Sequence, residues 1–259
     1  MSATRLDQAH AAMETGGDAA RLSFYEALAD ADLVVLLKTE PEGDMIEPAI
    51  AETDEGRYVL AFDGEDRLAA FTGQAAPYAG LPGRSLVEML AGQGLGLGLN
   101  LDVAPSSILL PADAVDWLAQ LLSEDPEVTQ ARPVAFSAPQ GLSEALLTGL
   151  EGRLQSAAGL AAAAYLAQAQ YEDGTSGPLL AFLGAKDAAH PSLAKAVAEA
   201  LVFSGMDAGA IDVVFLEPGT PALPALVRQG LAIAIPEPEP EESVQVPKPP
   251  GSDGPPRLR

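Results

Sequence analysis

The run Gly94-Leu95-Gly96-Leu97-Gly98-Leu99-Asn100-Leu101 constrains the fold more than any other stretch. Side chains alternate across a strand, so Leu95, Leu97 and Leu99 share one face while Gly96 and Gly98 share the other. One face is fit for a core; the other is bare, which lets another backbone or a helix approach closely. The same spacing argues against a phosphate cradle. Such loops present backbone amides at a helix N-terminus. Here Gly92, Gly94, Gly96 and Gly98 recur at every second residue, and the helix precedes the run. Neither GxGxxG nor GxxxxGK followed by Ser or Thr passes through them.

Upstream, residues 6–13 suit a short helix that Gly16-Gly17 breaks. Asp18 is placed to cap a helix over 19–29, with Leu22, Leu28 and Phe24 or Tyr25 on one side. Residues 33–38, LVVLLK, are continuously apolar, as in a strand covered on both faces. Residues 46–53 and 57–62 flank Asp54-Glu55-Gly56, a hairpin signal in which glycine supplies a positive φ. Pro48 puts the first arm at an edge or a bulge. Residues 68–72, LAAFT, read as a strand and 74–79 as a short helix broken by Pro82-Gly83. Residues 86–90 read as a helix capped by Ser85, with Glu88 completing a capping box. Beyond the glycine run, 108–110 is a strand, and Pro111 and Asp113 open a helix through Leu122.

Residues 123–141 hold Pro126, Pro133 and Pro139 and mark a junction. Leu142, Leu146, Leu150 and Leu154 then recur every four residues, a helical stripe weakened by Gly149 and Gly152. Strands follow at 161–171 and 178–183. A helix starts at Pro191, buries Leu193, Val197 and Leu201, and ends at Gly205. A strand at 211–216, a short helix at 223–228 and a strand at 231–235 complete the half. Hairpins mixed with helices predict an α+β fold. Two mixed α/β domains are expected at 1–127 and 142–235, each a small mixed sheet with packed helices, with 128–141 as linker. Residues 236–259 carry eight prolines in 24 positions and no aromatics. That composition is expected to stay disordered or polyproline-like.

Charge and composition narrow the chemistry. Fourteen basic against 37 acidic residues give a net charge of −23. That field repels phosphate backbones and anionic lipid, so neither nucleic acid nor membrane is an expected partner. It fits plain solubility, or a protein partner with a basic face. The chain has no cysteine, which removes disulfides, thiol catalysis, iron–sulfur ligation and cysteine zinc sites. The start lacks the basic head and apolar run of a secretory signal, and no apolar run approaches about 18 residues. A cytoplasmic location is expected.

The histidines are His10 and His190, one in each half and in no helical pair, so zinc hydrolysis is not expected. Glu40, Glu42, Asp44 and Glu47 form an acidic turn, as do Glu52, Asp54 and Glu55, and both fail the calcium-loop spacing. No metal and no cofactor are therefore nominated. GxSxG is absent; Gly83-Arg84-Ser85 lacks the second glycine, and Ser85 serves better as a cap. His190 precedes Pro191 and most simply ends a loop. A carboxylate-only acid–base pair stays open, because no spacing selects one from so many acids. No catalytic residue is nominated.

Phe71-Thr72, a short helix, a Leu-rich helix and then Gly94 to Asn100 together resemble the N-terminal domain of the SseB family, named for enhanced serine sensitivity in bacteria. The resemblance extends over 22–122, and the second half is similar in layout to that family's C-terminal domain. It implies a cytoplasmic bacterial protein linked to serine tolerance and carries over no catalytic residue. The candidate ligand contacts are Phe71 and Thr72, Arg84 as one of few cations, and Asn100, which equally suits a turn. A non-catalytic binding or regulatory protein is expected. Beside it stand a small-metabolite sensor or enzyme with a carboxylate-lined interdomain cleft, and a structural subunit that oligomerises through its Ala- and Gly-rich faces. The proline-rich tail offers a docking strip for a protein partner.

Overall fold

The structure is a computed structural model that describes residues 3–40, 45–123, 133–206 and 209–236. Two helices open the chain, α1 (Arg5–Thr15) and α2 (Asp18–Asp30). The first sheet follows: β1 (Asp32–Leu36), β2 (Ile50–Thr53), β3 (Gly56–Phe62), then α3 (Glu65–Thr72), β4 (Tyr78–Pro82), α4 (Gly83–Leu90), β5 (Gly96–Leu99), β6 (Ile108–Leu110) and α5 (Ala112–Ser123). Strand order is β4-β1-β3-β5-β6, with β2 also on β3. The β3–β5 pair is parallel and the other pairs are antiparallel. The second half contains β7 (Pro133–Ser137), α6 (Glu144–Leu154), β8 (Ala163–Tyr171), β9 (Ser176–Leu183), α7 (His190–Phe203), β10 (Asp212–Leu216), α8 (Leu223–Gln229) and β11 (Leu231–Ile233). Its sheet runs β10-β9-β8-β11 with β7 also on β8, and β9–β10 is its parallel pair. Two mixed sheets with packed helices make this an α+β fold. Among the described residues no helix is long and apolar enough to cross a membrane.

The glycine run behaves as its period dictates. Leu97 and Leu99 are fully buried in a core built with Phe24, Leu28, Leu33, Val35, Val59 and Leu118. The opposite face is filled from two directions. A Cβ on Gly96 would lie 2.4 Å from the Leu110 carbonyl oxygen and 2.6 Å from the Tyr58 ring, and one on Gly98 would lie 2.9 Å from Leu101. The close neighbours are thus an adjacent strand's carbonyl and side chains, and no helix. The expected hairpin forms between β2 and β3 around Gly56, which has φ 152°. The leucine stripe of α6 is equally plain, with Leu146, Leu150 and Leu154 fully buried.

Several local expectations are overturned. Residues 68–72 are the end of helix α3. Glu65 and Asp66 sit in its first turn, where the helix dipole favours them, and Gly73 closes it in the left-handed conformation. Residues 74–79 form no helix: Tyr78 begins β4, paired with β1 from Asp32–Pro82 to Leu36–Tyr78. Pro77 and Pro82 push the residues before them toward extended backbone. Helix α4 begins at Gly83 with no side-chain cap, so Ser85 lies inside it. Asp18 opens α2 without capping it. Within 128–141, read as linker, β7 pairs antiparallel with β8. The tail beyond residue 236 lies outside the described residues.

The two halves touch through helices. Helix α7 turns Leu193, Val197 and Leu201 into the second core, while Phe203 near its end is buried in the first. Helices α2 and α5 pack against α7.

Candidate functional site

Two clusters of charged side chains hold the chain together, and α1 reaches both. The first is buried. Arg67 on α3 is 3% exposed. Its guanidinium donates to both oxygens of Asp7, and at 2.7 Å to Asp63 one helical turn away. Ser106 donates to Asp7 at 2.6 Å, and Asn100 donates through Nδ2 to Ser106 at 2.8 Å. The Asn100 carbonyl accepts the Asp63 amide at 3.0 Å. Thr4 caps α1 through Asp7 in a reciprocal capping box and donates to Asp63 at 2.6 Å. Burial alone would raise the Asp7 carboxyl. Hydrogen bonds from Arg67, Ser106 and the Thr4 amide outweigh it and hold that carboxyl far below the usual carboxylate range. Asn100, at φ 49°, is fully buried here and joins two loops to the sheet.

The second cluster lies between the halves. Arg84, just inside α4, grips Glu199 of α7 with both terminal nitrogens, at 3.2 and 3.3 Å, and reaches Asp30 at 3.4 Å. Arg153 of α6 donates to Asp30 at 2.7 Å. It also stands 3.2 Å from Glu26 and 3.3 Å from Glu199, its guanidinium lying over the Phe203 ring. Arg5 of α1 donates to Asp30 from the rim at 3.3 Å. Three of the chain's few cations thus converge on carboxylates from both halves. Burial pushes the Glu26 carboxyl up, against the pull of Arg153. For Arg84, burial works against the cation, yet Glu199 and Asp30 more than compensate and its pKa rises.

Arg5, Glu26, Asp30, Arg84 and Arg153 line a cleft of about 950 Å³. Helix α2 contributes Ser23, Glu26 and Asp30 from one face, and α6 contributes Thr148, Gly149, Gly152 and Arg153 opposite. Gly149 packs 3.2 Å from Ser204 at the Cβ position, but a Cβ on Gly152 would meet nothing within 4 Å. No packing demand keeps Gly152 a glycine, although glycine weakens a helix. Gly152→Ala is therefore expected to stabilise the protein by about 0.5–1 kcal/mol in urea denaturation. A loss of stability would show that the wall is tighter than this geometry.

The four residues nominated from sequence enter three different settings. Arg84 lines the cleft. Asn100 belongs to the buried Arg67 cluster. Phe71 and Thr72 end α3: the Phe71 ring lies 5.2 Å from Phe62, and the Thr72 hydroxyl meets the Leu68 and Gln74 carbonyls. His10 packs edge-on against Phe24, and His190 stacks on Phe215 at 3.8 Å. Sequence reasoning missed Arg5, Glu26, Asp30, Arg153 and Glu199, which come from four helices spread over both halves of the chain. One signal was available: Glu26 and Asp30 are spaced to share a helix face.

Residues 6–117 match the family described as SseB protein N-terminal domain. No curated protein and no solved structure matches the chain.

Proposed function

We propose, from the membership of residues 6–117 in the SseB family, that this chain is a non-catalytic binding or regulatory protein of the bacterial cytoplasm, and that it binds a small polar molecule in the cleft between its halves. One observation carries the reading: a cleft of about 950 Å³ is walled by helices of both halves and lined by guanidinium and carboxylate groups in equal number. Ligand sites favour such junctions, and this volume is in the range that encloses a small molecule. The wall carboxylates Glu26 and Asp30 are each held against an arginine, an arrangement suited to orienting a ligand. Because Asp30 lines the cleft and also holds Arg84 of α4 and Arg153 of α6, a ligand that competes for it would change how firmly the halves are joined. That is a route from binding to regulation.

The test uses the full chain and Gly152→Leu. A Cβ there meets nothing within 4 Å, and the rest of a leucine would take up space in the cleft that Gly152 lines. Small polar metabolites that raise the wild-type melting temperature should lose that effect in Gly152→Leu, while the variant melts no lower than wild type without ligand. An equal ligand response in both proteins would place binding elsewhere.

A further inference from the structure

We propose, building on that reading of the cleft, that its occupant is a small organic molecule bearing a primary ammonium group, received by Glu26 on α2. The cleft's charges are unevenly served. Asp30 touches all three arginines, Arg5, Arg84 and Arg153. Among the described residues Glu26 has a single ion-pair contact, 3.2 Å from Arg153 Nε, and that guanidinium is shared with Asp30 and Glu199. A carboxylate offers about four lone-pair sites, so Glu26, which meets one guanidinium where Asp30 meets three, keeps capacity for a further donor in the cleft it lines.

The neighbours on α2 extend this acceptor surface. Ser23, three residues before Glu26, spends its hydroxyl proton on the Ala19 carbonyl at 3.1 Å, which leaves only its lone pairs for the cleft. Ser23, Glu26 and Asp30 therefore form a ladder of acceptors along one helix face. An ammonium carries three donors on one centre and no acceptor, the complement of that ladder. The net charge of −23 draws cations toward the protein. Burial already pushes the Glu26 carboxyl up, and a bound ammonium would reverse that cost. A bare metal ion fits less well: among the described residues no three His, Asp or Glu side chains are grouped to hold one. Opposite, Gly152 leaves room for the ligand's carbon skeleton.

The shared chemistry is the ammonium, and the rest of the molecule has two sources to be told apart. Calorimetric titrations of the full chain would use 1,4-diaminobutane and glycine as ammonium probes, 1,4-butanediol as the neutral counterpart and succinate as a dianion. Wild type, Glu26→Gln, Arg84→Met and the exposed control Glu52→Gln are compared. At least one ammonium probe should bind wild type and Glu52→Gln alike, weaken at least tenfold in Glu26→Gln, and be unmatched by the diol. Glycine binding that also weakens in Arg84→Met would identify a zwitterion whose carboxylate meets that arginine; diamine binding indifferent to Arg84 would identify a simple amine. Glu26→Gln keeps the side chain's shape and removes a charge that burial disfavours, so it should melt no lower than wild type. Ammonium binding equally strong in Glu26→Gln would reduce the effect to the general field and overturn the proposal. Succinate binding with neither ammonium probe would overturn it while leaving the cleft reading in place. Silence from all four probes would sink both.

Discussion

Arg67→Met is expected to lower the unfolding free energy by about 3–5 kcal/mol, because it leaves the buried Asp7 and Asp63 carboxylates without their cation. The cluster is closed: Arg67 and Asp7 are almost fully buried, and each oxygen of Asp7 meets Arg67 together with Ser106 or the Thr4 amide. Removal of the guanidinium therefore also strips the main support from the N-terminal turn of α1. The pH dependence carries its own sign. The folded Asp7 carboxyl is depressed, so its contribution is complete above the unfolded carboxylate pKa of about 4 and is lost as pH falls toward the folded value. In Arg67→Met, burial without a cation raises the same carboxyl, and acid then relieves the variant. The gap between wild type and variant, measured by urea denaturation, should be widest near pH 7 and shrink by pH 3. An unchanged gap would show that Arg67 stabilises by packing alone. Asp7→Asn combined with Arg67→Met should cost less than the two single changes added, as coupled neighbours do.

How much of this was legible in the sequence depends on the range of the forces involved. Where a local pattern matched the packing, the reading held: LVVLLK is a strand, the leucines from Leu146 to Leu154 are one buried stripe, and the glycine run is a strand with one core face. The reading failed where local preference was weak. LAAFT contains two alanines, good helix formers, and one aromatic, and nothing within five residues decides between helix and strand. The decision comes from Asp7, sixty residues before Arg67 in contact terms, and from the left-handed Gly73. The segment after it, expected as a short helix ended by Pro82-Gly83, is instead turned into strand β4 by its pairing with β1. The cleft was less legible still. Arg84 stands out in the sequence as one of few cations, beside the glycine-leucine stretch, but its partner Glu199 lies 115 residues away. Ion pairs leave no periodicity behind, so only Glu26 and Asp30, one turn apart on α2, carried a local trace.

Gly83→Ala and Gly96→Ala are expected to be the most damaging substitutions of glycine, at about 3 kcal/mol each, and neither effect depends on backbone strain. Neither glycine has a positive φ. What each lacks is room, and in each case the obstacle is backbone. A Cβ at Gly83 would lie 1.9 Å from the Leu28 carbonyl oxygen, where α4 abuts the end of α2 and the Gly83 amide donates to Ala31 at 2.7 Å. At Gly96 the Leu110 carbonyl is equally immovable, because β6 is pinned to β5 by the ladder from Leu97–Leu110 to Leu99–Ile108. Relief would require β5 or α4 to shift, and both carry residues of the first core, Leu97 and Leu99 or Leu86 and Leu90. Gly98→Ala is expected to cost less, since its neighbours are the side-chain tips of Leu101 and Leu60, which can rotate. Gly94→Ala tests the other mechanism: its Cβ would be in open space, but its φ of 64° belongs to the left-handed region, so about 1 kcal/mol is expected. The order Gly96, Gly98, Gly94 in urea denaturation would establish that the alternating run is glycine for lack of space on one face. Equal costs at all three positions would instead assign the glycines to backbone conformation alone.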